Sequence, residues 1–328
     1  MKILILNETA VEELLPMSAC ISVMEDALAA LARGQAFQPL RTIIRPPDSR
    51  GLMGLMPATI SGEQAAFGLK AVCVFPGNPA IGKDAHQGSV MLFSAETGEL
   101  LALMNASAIT AIRTAAVSGV ATKLLAREDA GDLAIIGAGV QARSHLAAMA
   151  AVRPIKRVRV ASRSPESAAR FAAEIESHYP FPIEAVGSVE AAIRGADLIV
   201  TATTAKEPIT QRDWLAPGVH LNVVGSSFPT NREIDTATMA AASLFVDQRE
   251  STLNEAGDYL FAMREGAIGP EHIRAELGEI LVGTSPGRTT TDEITLFKSL
   301  GLAVEDVASA AYLYQQAQPE GVGAWVDF

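Results

Sequence analysis

The sequence has few cysteines, a deficit of basic side chains and no long uninterrupted apolar segment. Two cysteines, Cys20 and Cys73, cannot form a disulfide framework, and with five scattered histidines they show no zinc-ligand spacing, so we expect no metal site. The 26 Lys and Arg against 37 Asp and Glu give a formal net charge of −11, which argues against a nucleic-acid partner. No run reaches the roughly 18 apolar residues of a membrane span. The short apolar N-terminal run does not resemble a signal peptide. These absences predict a soluble, cytoplasmic protein without a membrane partner.

What is present predicts about two domains in 328 residues, with 49% hydrophobic residues to fill their cores. Residues 18–33 have helical periodicity, with Ser18 as the expected N-cap. Between residues 39 and 105, short apolar stretches alternate with Pro- and Gly-containing turns, which predicts a mostly antiparallel sheet. A long helix is expected over 107–127, and the boundary between the domains should fall in or near it.

From residue 133 onward, apolar strand-like and helical segments alternate. Strands are expected at 133–136, 158–161, 197–201 and 219–224, with helices near 140–151 and 165–177. This alternation predicts an α/β fold with a doubly wound parallel sheet of the Rossmann type, covered by helices. One more helix is expected at 304–317, followed by a short tail.

A glycine motif follows the first of these strands directly. It reads Gly137-Ala138-Gly139-Val140-Gln141-Ala142 and opens a helical segment. Gly137 permits a tight turn, Gly139 lets the backbone approach a pyrophosphate, and the helix N-terminus supplies unpaired N–H groups. The motif predicts a dinucleotide site.

The residues that face the ribose of a bound dinucleotide lie about 20 positions further on, at the end of the second strand. Here Ser162, Arg163 and Ser164 stand where an acidic residue would select NAD. Hydroxyls and a guanidinium suit a 2′-phosphate, so NADP(H) is the preferred cofactor, with NAD(H) possible. The alternative is that Arg163 is a solvated surface charge.

A second glycine-containing segment, residues 77–84, nearly matches a phosphate-binding P-loop. Asp84 replaces the Ser or Thr that would hold magnesium, and residues 88–93 resemble a strand and not a helix. We expect no nucleotide triphosphate there.

Seven segments in order along the chain resemble the ornithine cyclodeaminase/μ-crystallin family. They are Pro39-Leu40-Arg41-Thr42, Leu55-Met56-Pro57-Ala58, Gly68-Leu69-Lys70, His86-Gln87-Gly88, residues 110–116 (TAIRTAA), the glycine motif at 137–142 and residues 294–301 (ITLFKSLG). The resemblance implies a Rossmann NADP-binding domain at 113–295, inserted into a discontinuous α+β substrate-binding and dimerisation domain at 1–112 plus 296–328. It implies a homodimer that acts on α-amino acids or on the imines derived from them.

The resemblance also assigns roles to individual residues. Arg41, Lys70 and Arg113 match positions that hold the substrate carboxylate, and guanidinium groups are suited to that task. Leu300 matches a position near the substrate. Positions lining the dinucleotide are matched by Arg113, Val140, Gln141, Ser162, Thr203, Val224, Gly225 and Ser299. His86 is expected to be either a cofactor contact or a structural histidine.

Two departures from the cyclodeaminase pattern are informative. Gly54 stands where cyclodeaminases have a glutamate, and Ser227 stands where they have the aspartate that orients and deprotonates the side-chain amine of ornithine. A serine cannot readily take that role. Both the substrate pocket and the ribose pocket therefore argue against a lyase that recycles tightly held NAD.

The expected activity is NADPH-dependent reduction of a cyclic imino acid, Δ1-pyrroline-2-carboxylate or Δ1-piperideine-2-carboxylate, to L-proline or L-pipecolate. Lys70 is expected to have a lowered pKa and to donate a proton or hydrogen bond near the imine nitrogen, and Ser227 to hydrogen-bond that nitrogen or a water. The alternatives are a dehydrogenase of alanine or N-alkyl amino acids, an ornithine cyclodeaminase, and a non-catalytic binding protein like μ-crystallin.

Overall fold

A computed structural model describes residues 2–62 and 65–328 of the chain. Its strands are β1 (Lys2–Leu6), β2 (Ala36–Phe37), β3 (Thr42–Ile44), β4 (Leu52–Ile60), β5 (Ala66–Val74), β6 (His86–Ser94), β7 (Leu100–Asn105), β8 (Asp132–Ile136), β9 (Arg157–Ala161), β10 (Ile183–Ala185), β11 (Leu198–Thr201), β12 (His220–Val223), β13 (Ser243–Val246), β14 (Ile273–Glu276), β15 (Thr295–Lys298) and β16 (Ala324–Asp327). Its helices are α1 (Glu8–Leu14), α2 (Met17–Ala32), α3 (Ala106–Leu125), α4 (Val140–Val152), α5 (Pro165–Ile175), α6 (Val189–Ile193), α7 (Thr236–Ala241), α8 (Arg249–Glu255), α9 (Gly257–Arg264), α10 (Leu277–Leu281) and α11 (Ala303–Glu320).

The chain divides into two compact units. The first comprises residues 1–114 and 301–328, and the second comprises residues 115–300. The first division falls inside α3, so one continuous helix contributes to both units. The second falls between the residues that follow β15 and the start of α11.

The first unit is built on an eight-stranded sheet. The strand order is β16-β1-β7-β6-β5-β4-β2, with β3 paired to β4. The β1–β7 pair is parallel and the other pairs are antiparallel, so the mostly antiparallel sheet predicted from residues 39–105 is confirmed. The C-terminal tail adds strand β16, which the sequence did not predict.

Helix α11 packs closely on one face of this sheet, against β4, β5 and β6, and α2 packs on α11. The close approach depends on Gly68 of β5, where a Cβ would lie 2.4 Å from Cγ2 of Val307. Helix α2 begins one residue earlier than expected, at Met17. The predicted Ser18 cap is wrong, because Pro16 occupies the N-cap position with a backbone already set for helix entry and no side-chain hydrogen bond.

The second unit contains an eight-stranded sheet in which all pairs are parallel. Its order is β10-β9-β8-β11-β12-β15-β13-β14. Both faces are covered, since the successive residues Leu133 and Ala134 point to opposite faces and are both 0% exposed. The α/β fold class with a Rossmann-type sheet is confirmed. The order reverses between β8 and β11, which is where doubly wound sheets bind ligands.

Three further features bear on function. Among the described residues, α3 is the single helix that is long and apolar enough to cross a membrane, and most of it is buried inside the protein, as a core helix is. Helices α1 and α2 together reach the length of a membrane span only if they are counted as one helix despite the 81° bend between them. The P-loop-like segment forms a short 3-10 turn at Asn78–Ile81 and leads into strand β6 instead of a helix. The described part of the chain contains no cluster of three or more His, Cys, Asp or Glu suited to a metal ion.

Candidate active site

A buried cluster of opposite charges lies in the first unit, where strand β5 and helix α3 meet the start of α11. Lys70 Nζ donates to Thr110 Oγ1 at 2.6 Å and to Asp306 Oδ1 at 3.0 Å. Arg113 Nε donates to the same Oδ1 atom at 3.0 Å, and its Nη1 donates to Glu305 Oε2 at 2.8 Å. Lys70 and Arg113 are 2% and 4% exposed, and both carboxylates are fully buried. Charges are buried at such a site only when they are paired.

The local sequence explains why these side chains point inward. Lys70 lies with Gly68 and Val72 on the face of β5 that α11 covers, because every second residue of a strand points to the same face. Glu305 and Asp306 lie in the first turn of α11, where the helix dipole favours negative charge. The two carboxylates therefore enter the core at the position on α11 that tolerates them best.

Gly301 brings the two predicted arginines to one place. Arg41 Nη2 donates to the Gly301 carbonyl at 3.0 Å. Gly301 has φ +78°, and a Cβ at this position would lie 2.4 Å from Arg113 Nη1. Glycine is therefore needed at position 301 for two reasons: the backbone has a positive φ, and Arg113 leaves no room for a Cβ. Arg41, Lys70 and Arg113 lie together, and the charges of both arginines act on Lys70.

The charge balance of this cluster controls the pKa of Lys70. Burial lowers that pKa, the Asp306 carboxylate raises it, and Arg113 and Arg41 lower it, so it falls from 10.5 to about 8. An ammonium group with a pKa of about 8 is protonated at neutral pH and gives up its proton more readily than an ordinary lysine. A donor of this kind suits general-acid chemistry.

His86 lies at the start of β6, on the strand beside Lys70. His86 is exposed at its surface, although neighbouring parts of the protein remove some of the water around its ring. This desolvation lowers the pKa of His86, and the positive charges of Lys70 and Arg113 lower it further. Its carbonyl accepts a hydrogen bond from the Ser107 hydroxyl. His86 thus faces the cation cluster of its own unit, and its contact with a cofactor stays a prediction.

In the second unit, the glycine motif forms a tight turn between β8 and α4. Gly137 has φ +120°, and a Cβ there would lie 2.4 Å from the Ala202 carbonyl oxygen, at the end of β11. Gly139 is the N-cap of α4, and a Cβ there would meet nothing within 4 Å. Gly139 has no side chain to cap this helix, and helix geometry leaves the first backbone N–H groups of α4 without an acceptor inside the helix. The arrangement suits a phosphate group. Val140 is 59% exposed and Gln141 is half-buried beside this turn.

The segment after β9 places its three predicted ribose residues differently. Ser162 is half-buried and Arg163 is exposed. Ser164 is the N-cap of α5, where its hydroxyl accepts a hydrogen bond from Ser167 N and donates to Glu166 at 2.6 Å. Its hydroxyl therefore takes part in capping α5.

A buried glutamate that the sequence did not single out joins the ends of β11 and β12. Glu233 is 0% exposed and accepts hydrogen bonds from the Thr201 hydroxyl, the Thr203 hydroxyl and N–H, and the Gly225 N–H, at 2.7 to 2.8 Å. Burial and the charge of Asp258 raise its pKa, while Lys298 lowers it. A Cβ on Gly225 would lie 2.2 Å from the Thr203 carbonyl oxygen. The predicted dinucleotide residues Thr203 and Gly225 are thus both hydrogen-bonded to the buried carboxylate of Glu233.

Two more buried charged residues, Lys298 and Asp258, extend this hydrogen-bond network. Lys298 Nζ lies 3.1 Å from Asp258 Oδ2 and donates to the Ser226 carbonyl at 2.6 Å. Asp258 Oδ1 accepts from the backbone N–H of Glu233 at 2.7 Å. The network fixes the loop that carries Ser227, which is half-buried.

The remaining predicted residues surround the same strand ends. Val224 is half-buried after β12, and Ser299 and Leu300 are buried after β15. The Leu300 N–H donates to Asp247 Oδ2 at 2.6 Å. Gly225 and Ser299 follow adjacent parallel strands, so they lie at the same edge of the sheet.

These features are those of an α/β protein with a dinucleotide-type turn in one unit and a buried cation cluster in the other, and comparison with known proteins gives the family. Residues 1–321 match the ornithine cyclodeaminase/mu-crystallin family, and the chain belongs to it. It is 40% identical to a Δ(1)-pyrroline-2-carboxylate reductase of Bacillus cereus, over 99% of this chain and 100% of that protein.

Two solved structures have the same fold over the full chain. The Thermococcus litoralis Δ(1)-pyrroline-2-carboxylate reductase, in complex with NADH and L-proline, has a TM-score of 0.96 and 41% identity, with 99% of this chain and 100% of that chain covered. An archaeal alanine dehydrogenase dimer with bound NAD has a TM-score of 0.94 and 33% identity, with 100% of each chain covered. The family inferred from the seven sequence segments is confirmed.

Proposed function

We propose that this protein reduces cyclic imino acids with NADPH, converting Δ1-pyrroline-2-carboxylate and/or Δ1-piperideine-2-carboxylate to L-proline or L-pipecolate. The observation that carries the proposal is the position of Lys70, whose Nζ is held by Thr110 and Asp306 beside Arg41 and Arg113. The similarity to Δ(1)-pyrroline-2-carboxylate reductases supports the same reaction. In this proposal the first unit binds the substrate and the second unit binds the dinucleotide.

The substrate carboxylate is held by Arg41 and Arg113. Arg113 uses Nε and Nη1 for Asp306 and Glu305, so among the described residues its Nη2 has no protein acceptor and can donate to a ligand. Three cations, Arg41, Lys70 and Arg113, lie together in this cluster, and such a group of cations suits a substrate that carries a carboxylate.

Lys70 donates a proton or hydrogen bond to the imine nitrogen. Two of its three N–H groups are used by Thr110 and Asp306, which leaves one for the substrate. A protonated imine accepts hydride more readily, and the bound dinucleotide supplies that hydride. After the proton leaves, the amine still has its two hydrogen bonds, so the side chain stays in place for the next turnover. Ser227 binds the ring nitrogen or a water.

The dinucleotide phosphates lie at the N-terminus of α4, beside Gly137 and Gly139, where the helix dipole and the N–H groups of the first turn favour an anion. Ser162 and Arg163 select NADPH over NADH by binding the 2′-phosphate. Val140, Gln141, Thr203, Val224, Gly225 and Ser299 line the rest of the cofactor site in the second unit. The resemblance to the family adds Arg113 and His86 as cofactor contacts.

The active form is a homodimer that covers the second face of the first unit's sheet. Pro57, Leu69, Met91 and Leu103 lie side by side in register on that face, and Phe67 beside them is 52% exposed. Contiguous apolar surface of this kind marks an interaction site. The archaeal alanine dehydrogenase of the same fold is a dimer. We place the protein in the cytoplasm, a reducing compartment in which Cys20 and Cys73 stay as thiols.

The proposal is tested with a panel of substrates while NADPH absorbance is followed. We expect rapid NADPH oxidation with the two cyclic imines, slower oxidation with NADH, and L-proline or L-pipecolate as product. Release of ammonia from ornithine with catalytic NAD would identify a cyclodeaminase instead. Reduction of pyruvate with ammonia or methylamine, without activity on cyclic imines, would identify an alanine or N-alkyl-amino-acid dehydrogenase. Binding of NADPH with no turnover on any substrate would point to a binding protein.

A further inference from the structure

We infer that Asp306 is a positioning residue that couples recognition of the substrate carboxylate to proton donation. The inference rests on the proposed function. A single atom, Asp306 Oδ1, accepts hydrogen bonds from Lys70 Nζ and from Arg113 Nε, each at 3.0 Å. The residue that would donate the proton and a residue that would hold the carboxylate are therefore oriented by the same oxygen.

Asp306 is well placed to hold that geometry because α11 is fixed on either side of it. The Val304 N–H donates to Gln38 Oε1 at 2.9 Å, and Val307 packs against Gly68 of β5. Asp306 is 0% exposed. Within the described part of the chain, its second oxygen, Oδ2, has no hydrogen-bond partner. The carboxylate therefore acts mainly through Oδ1, on the two cations.

The charges around Lys70 show what Asp306 contributes. Asp306 on α11 is the acidic group that acts on Lys70 directly, while Arg113 on α3, Arg41 before β3 and His86 on β6 face it from the other elements. Glu305 is paired with Arg113. Without the Asp306 charge, the two nearby arginines would lower the pKa of Lys70 further, so that Lys70 would lose its proton at a lower pH. Lys70 would then reach the imine in its uncharged form and could not serve as the acid.

The matched pair of variants is Asp306→Asn and Glu305→Gln. Both remove one buried negative charge from the same helical turn, but Asp306 accepts hydrogen bonds from Lys70 and Arg113, whereas Glu305 accepts one from Arg113. In D306N we expect kcat to fall at least about tenfold, and the high-pH limb of kcat/KM to move down by about one pH unit or more. In E305Q we expect a higher KM for the imine and a much smaller movement of that limb.

The titration of Lys70 is also measured directly, by NMR of protein labelled with 13C at the lysine ε-carbon, with the Lys70 signal identified by its loss in Lys70→Met. This measurement does not require turnover. A lower Lys70 pKa in D306N than in E305Q supports the inference, and equal values in wild type and D306N overturn it. If the wild-type protein reduces no imine while the Lys70 pKa still falls in D306N, the proposed function fails and the electrostatic role of Asp306 stands.

If D306N does not fold, the variant Asp306→Glu tests the same inference. It keeps the charge and moves the oxygen, so a positioning role predicts reduced kcat with a Lys70 pKa close to that of wild type. Unchanged kcat in D306E would show that the position of the carboxylate has no effect, and would contradict the inference.

Discussion

Glu233 accepts two hydrogen bonds from Thr203, one from its backbone N–H at 2.8 Å and one from its hydroxyl at 2.7 Å. The other oxygen of the same carboxylate accepts from the Gly225 N–H at 2.7 Å. One buried side chain thereby fixes the ends of β11 and β12, where we place part of the dinucleotide site.

Glu233→Gln is predicted to weaken dinucleotide binding and to destabilise the protein. The amide would present two N–H donors to groups that are themselves donors, so at least one buried hydrogen bond is lost, at a cost of about 1–3 kcal/mol. We expect a several-fold higher Kd for NADPH by fluorescence quenching and a lower midpoint of thermal unfolding. Glu265→Gln is the control, because Glu265 pairs with Arg232 at an exposed site and its removal should change neither value appreciably. Equal Kd values in E233Q and wild type would argue against an anchoring role.

The pH dependence of turnover follows from Lys70. Its pKa is lowered to about 8, chiefly by burial, and the protonated form is the proton donor. Activity should therefore be complete below that pH and decline as the pH rises through it, by about tenfold per unit well above the pKa. The measurement is kcat/KM for the imine from pH 6 to 10, with NADPH binding followed over the same range. A profile that stays flat to pH 10 would contradict the assignment of Lys70 as the acid.

Cofactor preference is predicted to depend on Ser162 and Arg163. The double variant Ser162→Asp with Arg163→Ala introduces a carboxylate that repels a 2′-phosphate and removes the cation that binds it. We expect the ratio of kcat/KM for NADPH over NADH to fall at least about tenfold, since a charged hydrogen bond contributes about 1.5–3 kcal/mol. Ser164→Ala serves as control. It removes the N-cap of α5 and should cost about 1 kcal/mol of stability without changing the ratio. If the double variant kept the wild-type ratio, these residues would not be the phosphate site.

Association through the second face of the first unit's sheet is predicted to fail when that face carries a charge. Met91 lies between Leu69 and Leu103 in register, so Met91→Asp would place a carboxylate at the centre of the proposed dimer interface. Sedimentation velocity should report a dimer for the wild type and a monomer for the variant. Leu253→Asp is matched in chemistry, and Leu253 is 42% exposed on α8 of the second unit, outside the proposed interface residues, so this variant should stay dimeric. A Met91→Asp protein that remains dimeric would move the interface elsewhere.

The sequence allowed much of the fold and part of the site to be predicted. The strand-helix alternation after residue 133, the turn at Gly137 and the short antiparallel strands are local patterns, and local patterns can be read from a single sequence. The tail strand β16 was missed because four residues next to the C-terminus gain strand structure only by pairing with β1. Pairing between distant segments is not encoded by either segment alone.

The partners of the predicted residues were missed for the same reason. Asp306 lies 236 residues from Lys70 along the chain, and acidic residues in a first helical turn normally serve the helix dipole at the surface. A signal was present, since Glu305 and Asp306 interrupt the apolar residues Val304 and Val307 in a helix that is otherwise apolar at its start. Glu233 gave a weaker signal, because it lies in a polar loop between Arg232 and Ile234 that resembles solvent-exposed chain.

The most direct test of imine reduction with Lys70 as the acid is the steady-state rate of NADPH oxidation with Δ1-pyrroline-2-carboxylate at pH 7 for wild type and Lys70→Met. The Kd for NADPH is measured on the same samples. Met fills the space of the lysine stem but cannot donate a proton. We predict that wild type forms L-proline, that kcat of the variant is at least about a hundredfold lower, as loss of a general acid implies, and that the NADPH Kd is nearly unchanged. A variant that retains wild-type kcat, or a wild type that binds NADPH and leaves the imine unreduced, would contradict it.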